Sequence, residues 1–256
     1  MIRAEISPKT CFPATRTSVW AAWWLCALIL LPLCGHTAPA ATGQTVLRIG
    51  CGQSFPPYQM IDHGEPTGFD AEMIEAVARQ IGYTPELHVG GLSALRQDLA
   101  AGRLDVIAGM SYLPARKSTF LFSTPICTVS YAVFIRDTAK IAGWRDLAGK
   151  TIAVQRGGAM ADYLHGQGFS GATRTVDDGL QALRLLAAGR CDAAMLAEMP
   201  GLYYCTNYGL QHIVVLPDKV MTEPHGFALA PGNSALMLRL NDGLQRLRDN
   251  GQFREI

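Results

Sequence analysis

The sequence carries no excess of charge of either sign. Its 22 lysines and arginines nearly balance its 21 aspartates and glutamates, which gives a net charge of +1 at pH 7. A nucleic-acid-binding protein usually carries a basic patch, and a disordered acidic tail is a block of one sign. We therefore expect no nucleic-acid partner and no such tail.

Motifs for metals, phosphates and dinucleotides are missing as well. The six histidines are scattered, and no cysteine beyond residue 40 has the spacing of a zinc site. Gly157-Gly158 is not followed by the Lys-Ser/Thr of a P-loop, and Gly50-Cys51-Gly52 lacks the third glycine of a dinucleotide motif. No nucleophile–base pair is recognisable, so the sequence predicts no metal, no cofactor and no enzymatic activity.

The N-terminus has the features of a secretion signal. Basic residues precede an apolar run over 19–33, which is short for a membrane span of roughly 20 apolar residues. Ala38-Pro39-Ala40 then has the A-x-A form of a signal-peptidase site. We expect residues 1–40 to be a signal peptide and the mature protein to be periplasmic; an uncleaved membrane anchor is the alternative.

Four cysteines follow this segment: Cys51, Cys127, Cys191 and Cys205. In an oxidising compartment four thiols allow three disulfide pairings. Cys51 and Cys191 also lie in apolar, strand-like runs where a free cysteine packs as a small hydrophobic residue. The sequence leaves the pairing open.

One segment of the chain occurs twice. Residues 99–108 (LAAGRLDVIA) recur as residues 186–195 (LAAGRCDAAM). In each copy an amphipathic helix ends near a glycine and a short apolar strand follows, which is half of a βαβ unit. The repeat predicts two α/β lobes with mostly parallel sheets, whose carboxyl ends face a cleft. A single, continuous doubly wound sheet is the alternative.

Six short motifs occur in one order along almost the whole mature chain. They are Phe55-Pro56-Pro57-Tyr58, Gly68-Phe69-Asp70-Ala71-Glu72, residues 109–116 (GMSYLPAR), Phe122-Ser123-Thr124-Pro125, residues 146–150 (DLAGK) and Val154-Gln155-Arg156-Gly157. Together they resemble the motifs of the periplasmic solute-binding proteins of family 3, the polar-amino-acid type associated with ABC transporters.

The resemblance implies an α/β fold of two Rossmann-like lobes joined by a two-strand hinge, as in type II periplasmic binding proteins. The hinge strands would lie near Pro125–Ser130 and Pro224–Phe227. We expect residues 41–127 and 226–256 to form the first lobe and residues 128–225 to form the second.

The resemblance also implies a function. We expect an extracytoplasmic, monomeric solute-binding protein that closes on a small carboxylate ligand, an amino acid or a derivative, for uptake through a membrane permease. One alternative is a ligand-sensing receptor module without a transporter. Another is a periplasmic dehydratase of the cyclohexadienyl type.

Arginine suits a ligand carboxylate because its planar guanidinium donates two parallel hydrogen bonds. Arg116 stands where the family has such an arginine, Phe55 would form a wall of the pocket, and Ser111 would add a hydroxyl. N–H groups at a helix N-terminus attract anions. The expected ligand-binding residues are therefore Phe55, Gly109, Ser111, Arg116, Gly157, Ala159 and Glu198.

The expected acid for a ligand ammonium group is less regular. Aligned without a gap, Ala197 occupies the place of the family's aspartate, and Glu198 is the only acid nearby. We expect Glu198, not Asp192, to face the cleft, because Asp192 matches Asp105 in the repeat and a shared structural role explains both. Asp70 follows a glycine turn and is expected to be a helix N-cap.

The secretion signal yields the first prediction. We expect cleavage after Ala40, because the apolar run is short and a small-residue motif follows it. Intact-mass analysis of protein from the periplasmic fraction checks this expectation. A mass that retains the N-terminal residues would contradict it.

Overall fold

The computed structural model describes residues 45–256, so the expected signal peptide lies outside the described residues. The α-helices in this part are α1 (Phe69–Gln80), α2 (Leu92–Ala100), α3 (Pro114–Lys117), α4 (Ala159–Gly166), α5 (Gly179–Ala187), α6 (Glu198–Asn207) and α7 (Ser234–Asp249). Short 3-10 helices occupy Trp144–Leu147 and Gln252–Arg254. No helix within residues 45–256 is both long and apolar enough to cross a bilayer.

The strands alternate with these helices. They are β1 (Thr45–Gly52), β2 (Ser54–Phe55), β3 (Gln59–Asp62), β4 (Glu65–Thr67), β5 (Tyr83–Gly90), β6 (Val106–Ser111), β7 (Leu121–Phe122), β8 (Cys127–Arg136), β9 (Thr151–Gln155), β10 (Ala172–Val176), β11 (Ala193–Ala197), β12 (Ile213–Val215) and β13 (Met221–Leu229). The small strands β2, β3 and β4 form a separate antiparallel sheet.

Two parallel sheets are joined by two antiparallel strands. In the first lobe β1 pairs in parallel with β5 and β6, and in the second lobe β9 pairs in parallel with β10 and β11. Between them β8 and β13 pair antiparallel to each other, β8 with β11 and β13 with β6. This topology confirms the two-lobed α/β fold with a two-strand hinge and is not that of one doubly wound sheet.

Each sheet is covered by helices on both faces. On one face of the sheet of the first lobe, where α1 and α7 pack, the core includes Ile49, Ile74, Val77 and Leu244. On the other face, where α2 packs, it includes Leu95, Leu99 and Ile107. Core residues of the second lobe include Ile152, Met160, Leu164 and Met195 under α4, and Ala153, Leu183, Leu186 and Ala194 under α5. The separate cores give each lobe its own apolar interior.

The repeat corresponds to α2–β6 in the first lobe and α5–β11 in the second. Its two aspartates make the same contact: Asp105 Oδ2 accepts from the Arg48 backbone N–H at 2.8 Å, and Asp192 Oδ2 accepts from that of Thr151 at 2.8 Å. Burial by itself would raise the pKa of the Asp105 carboxyl, but the hydrogen bonds from Arg48 outweigh burial and hold that pKa below its ordinary value. Each aspartate thus ties a strand entry to its neighbour, which confirms the structural role expected of Asp192.

The four cysteines in the described part of the chain are free thiols. Cys51 and Cys191 are buried, as their apolar sequence context indicates. Burial raises the pKa of the Cys51 and Cys127 thiols to about 12, so both stay protonated at neutral pH.

Candidate functional site

A cleft opens at the carboxyl ends of the parallel strands of both lobes. Its empty space amounts to about 830 Å³ with the solvent at its mouth included, within the size range of small-molecule sites. Lining residues at strand ends are Gly52, Gly90, Gly109, Met110 and Ser111 in the first lobe, and Gln155, Asp177 and Ala197 in the second. Ligands bind at this edge in α/β sheets.

Arg116 reaches the cleft from α3 and is only 2% exposed. Its Nε donates to Asp162 Oδ2 at 2.8 Å, its Nη2 to the Gly157 carbonyl at 3.2 Å, and its Nη1 to the Ser111 carbonyl at 3.4 Å. A guanidinium has five N–H donors. One N–H on each Nη therefore remains for a further acceptor.

The N-terminus of α4 faces the same part of the cleft. The N-cap residue, Gly158, has no side chain to cap the helix, and Gly158, Ala159 and Met160 all line the cleft. First-turn N–H groups have no acceptor within the helix and carry the positive end of its dipole. Together with Arg116 they form a site suited to a carboxylate.

Gly157 itself is outside the cleft lining. It adopts a left-handed φ of +67°, and its carbonyl accepts hydrogen bonds from Arg96 and Arg116 of the other lobe. The residue expected to contact ligand through its N–H therefore contacts the first lobe through its carbonyl. Its role in ligand binding stays a prediction.

A buried polar network lies at the floor of the cleft. Ser111 Oγ is hydrogen-bonded to the Tyr131 hydroxyl at 2.7 Å and to His225 Nδ1 at 3.2 Å. Asp70 Oδ2 is hydrogen-bonded to His225 Nε2 at 2.9 Å and accepts from Gln59 Nε2 at 2.6 Å. The Ser111 hydroxyl is thus held in place by groups from the hinge strands and from the first lobe.

Two members of this network differ from what the sequence indicates. Asp70 is not the N-cap, because α1 begins at Phe69 with Gly68 in the N-cap position, two residues before Asp70, and the Asp70 carboxylate is fully buried. His225 was missed, since no motif marks it. It lies where β13 changes its partner from β8 to β6, at the centre of the hinge.

Gly109 sits where the network leaves no room for a side chain. A Cβ at this position would lie 1.9 Å from Asp70 Oδ2 and 2.5 Å from His225 Nε2. Close approach of the β6 backbone to this buried pair therefore requires glycine.

Phe55 lies in the cleft wall, as expected from the sequence. Its ring stacks on Tyr58 with centroids 5.1 Å apart and on His225 at 6.0 Å. This packing holds the ring against His225 of the hinge. A contact between Phe55 and a ligand stays a prediction.

Glu198 is not among the residues that line the cleft, and its expected role in ligand binding stays a prediction. The strand β11 ends at Ala197, Glu198 begins α6, and its carboxylate accepts a hydrogen bond from Lys219 Nζ. The acids that line the cleft are Asp177 and Asp178, in the turn between β10 and α5. Sequence reasoning missed them because it placed the acid after the repeat strand rather than before the repeat helix.

The two lobes touch across the cleft in this structure. The Ser54 hydroxyl of the first lobe and the Tyr204 hydroxyl of the second are 2.8 Å apart, and burial raises the pKa of Tyr204 above its ordinary value. On the opposite side Arg96 and Arg116 bond to Asp162. The structure is therefore the closed form.

No group of three histidines, cysteines, aspartates or glutamates within residues 45–256 is arranged to hold a metal ion.

The fold and the cleft define a two-lobed binding protein, and sequence comparison names its family. Residues 47–256 match the bacterial extracellular solute-binding proteins, family 3. The chain belongs to this family, which is extracytoplasmic.

Individual relatives span nearly the same length. The chain is 27% identical over 240 residues to the arginine-binding extracellular protein ArtP of Bacillus subtilis, covering 90% of this chain and 92% of that protein. A histidine kinase sensor domain with similarity to periplasmic binding proteins superimposes with a TM-score of 0.78 at 33% identity, covering 83% of this chain and 94% of that one. An ancestral arginine-binding protein bound to glutamine gives a TM-score of 0.75 at 26% identity, covering 82% and 95%.

The close packing around Gly109 yields a prediction on stability. We expect Gly109→Ala to lower the free energy of unfolding by about 1–3 kcal/mol, because the added methyl must displace the Asp70–His225 pair. Gly166→Ala is the matched control, since a Cβ there meets open space in α4. Urea denaturation of both variants measures the effect; equal stability of the two would contradict the close approach.

Proposed function

We propose that this chain is a periplasmic receptor that closes on a free amino acid and delivers it to a membrane permease. The mature protein begins after Ala40, works as a monomer and catalyses no reaction. The observation that carries the proposal is the Arg116 guanidinium, which is buried in the cleft with two N–H donors to spare.

The ligand's carboxylate binds between Arg116 and the first turn of α4. The remaining N–H groups of the guanidinium match the two oxygens of a carboxylate, and the helix N-terminus adds donors and a favourable dipole. Ser111 contributes a hydroxyl oriented by Tyr131 and His225. Phe55 covers the aliphatic part of the ligand.

The ligand's ammonium group binds at Asp178. This residue lines the cleft, and as the N-cap of α5 it uses one oxygen, Oδ1, to accept from the Gln181 backbone N–H at 2.8 Å. Its second oxygen remains as an acceptor for a cation. Glu198 keeps its ion pair with Lys219 instead.

The known relatives support an amino acid as ligand. ArtP is an arginine-binding protein, and the ancestral arginine-binding protein also holds glutamine. Both ligands carry the carboxylate and ammonium groups that Arg116 and Asp178 receive. L-arginine and L-glutamine are therefore the first ligands to test.

A second candidate function is sensing without transport. The sensor domain of a histidine kinase is 33% identical to this chain and covers most of it. Both functions use the same closure on a ligand. Pull-down of the membrane proteins that bind the ligand-loaded receptor distinguishes a transporter permease from a signalling protein.

Arg116→Ala tests the carboxylate site. Removing one partner of a buried, hydrogen-bonded ion pair costs about 2–5 kcal/mol, so the affinity for L-arginine or L-glutamine should fall roughly thirtyfold to a few thousandfold. Titration calorimetry measures it. Arg79→Ala, which removes a surface arginine paired with Glu75, is the control. An unchanged affinity in Arg116→Ala would show that the carboxylate binds elsewhere.

Asp178→Asn and Glu198→Gln test the ammonium site. Asparagine caps a helix as well as aspartate, so Asp178→Asn removes charge and leaves α5 intact. We expect it to weaken binding of L-glutamine and to spare the matched carboxylate without an amine, 4-carbamoylbutanoic acid. Glu198→Gln should change neither affinity. If Glu198→Gln selectively weakened binding of L-glutamine and Asp178→Asn did not, Glu198 rather than Asp178 would be the residue that binds the ammonium group.

A further inference from the structure

We infer that Asp162 and Arg96 are positioning residues that complete the carboxylate site only when the lobes close. They act with Arg116 as a cluster of three charges across the cleft, which we call the closing cluster. The inference rests on the proposed function, that the cleft holds the carboxylate of an amino acid.

The closing cluster joins residues of both lobes. Arg96 on α2 and Arg116 on α3 belong to the first lobe, and Asp162 on α4 belongs to the second. Asp162 Oδ2 accepts from Arg116 Nε at 2.8 Å and from Arg96 Nη1 at 3.2 Å. These contacts exist only while the lobes are together, since hinge opening separates their partners.

A backbone carbonyl in the second lobe accepts hydrogen bonds from the same two arginines. The Gly157 carbonyl accepts from Arg96 Nη1 at 2.9 Å and from Arg116 Nη2 at 3.2 Å. It lies directly before the first turn of α4, where the ligand's carboxylate binds. Closure thus brings the anion-binding helix end and the arginine to the same place.

Arg96 also makes a contact within its own lobe. Its guanidinium carbon lies 5.4 Å from the centroid of the Phe120 ring, a cation–π contact within its own lobe. Among the described residues of its own lobe, the Arg116 guanidinium has only the Ser111 carbonyl as an acceptor, at 3.4 Å. The orientation of Arg116 therefore depends on Asp162 more than that of Arg96 does.

Asp162 and the ligand do not compete for the guanidinium. Asp162 takes the Nε–H of Arg116, and the Gly157 and Ser111 carbonyls take one N–H on Nη2 and one on Nη1. The remaining N–H on each Nη accommodates a carboxylate at the same time. The contact with Asp162 consequently supports carboxylate binding rather than blocking it.

The charges of the closing cluster favour closure with a ligand bound. Two arginines and one aspartate leave the closing cluster with one uncompensated positive charge, next to a guanidinium that is 2% exposed. An uncompensated buried charge is costly, and a ligand carboxylate supplies the missing negative charge. Closure is therefore most favourable when a carboxylate is present. Because Asp162 balances one of the two arginines, a single ligand carboxylate balances the remaining positive charge.

Asp162→Asn tests the inference with L-arginine and L-glutamine as probes. Hydrogen bonds to charged groups are stronger than neutral ones, so we expect the dissociation constant to rise roughly ten- to a hundredfold. The change should lie in the dissociation rate, with the association rate within about threefold, because the closing cluster forms after the ligand has arrived. Stopped-flow fluorescence gives both rates.

Three controls separate positioning from folding. Asp137→Asn removes a surface carboxylate of the second lobe, paired with His212, and should leave both rates unchanged. Asp162→Glu restores the charge and should recover part of the affinity. The melting temperature of the ligand-free Asp162→Asn protein should stay near that of the wild type.

The outcomes distinguish this inference from the proposed function. Wild-type affinity and rates in Asp162→Asn would overturn the inference and leave the proposed function standing. A loss confined to the association rate, or one matched by Asp137→Asn, would also overturn it. If the wild type binds neither probe, the proposed function fails and the inference fails with it.

Discussion

The organisation of this protein depends on one guanidinium that is shared by both lobes. Arg116 belongs to the first lobe, yet two of its three hydrogen bonds go to the second, to Asp162 and to the Gly157 carbonyl. A buried arginine needs its donors satisfied and its charge balanced. Contacts from both lobes meet part of these needs, and in our proposal the carboxylate of the ligand meets the rest, so that ligand binding and closure would be coupled.

The rest of the fold places this group. In each repeated αβ unit the helix ends near a glycine and the strand that follows runs toward the cleft. An aspartate in each unit ties the start of that strand to the neighbouring strand. The hinge strands carry the Tyr131 and His225 side chains that orient Ser111. The elements that form the fold therefore also position the side chains of the cleft, which lies at the carboxyl ends of the strands of both sheets.

Periodicity predicts the two αβ units, whereas the arrangement of two lobes joined by a two-strand hinge was expected from the resemblance to family 3. A repeated helix–glycine–strand segment specifies two similar units, whatever the identity of each exposed side chain. Arg116 was found through its motif, and its burial agrees with a site in the cleft. Asp178, Asp162 and His225 were not found, because their roles depend on which way a side chain turns and on a partner in the other lobe or a distant strand. Glu198 shows the same limit: it directly follows the last residue of β11, but its carboxylate accepts a hydrogen bond from Lys219.

The most direct measurement is the identity of the small molecule that the protein carries when it is purified without added ligand. Denaturing the purified protein and analysing the released compound by mass spectrometry gives that identity. Our account predicts a compound with both a carboxylate and an amine, in the mass range of an amino acid. A tightly held ligand without a carboxylate would contradict the account, because the account places a carboxylate between Arg116 and the first turn of α4.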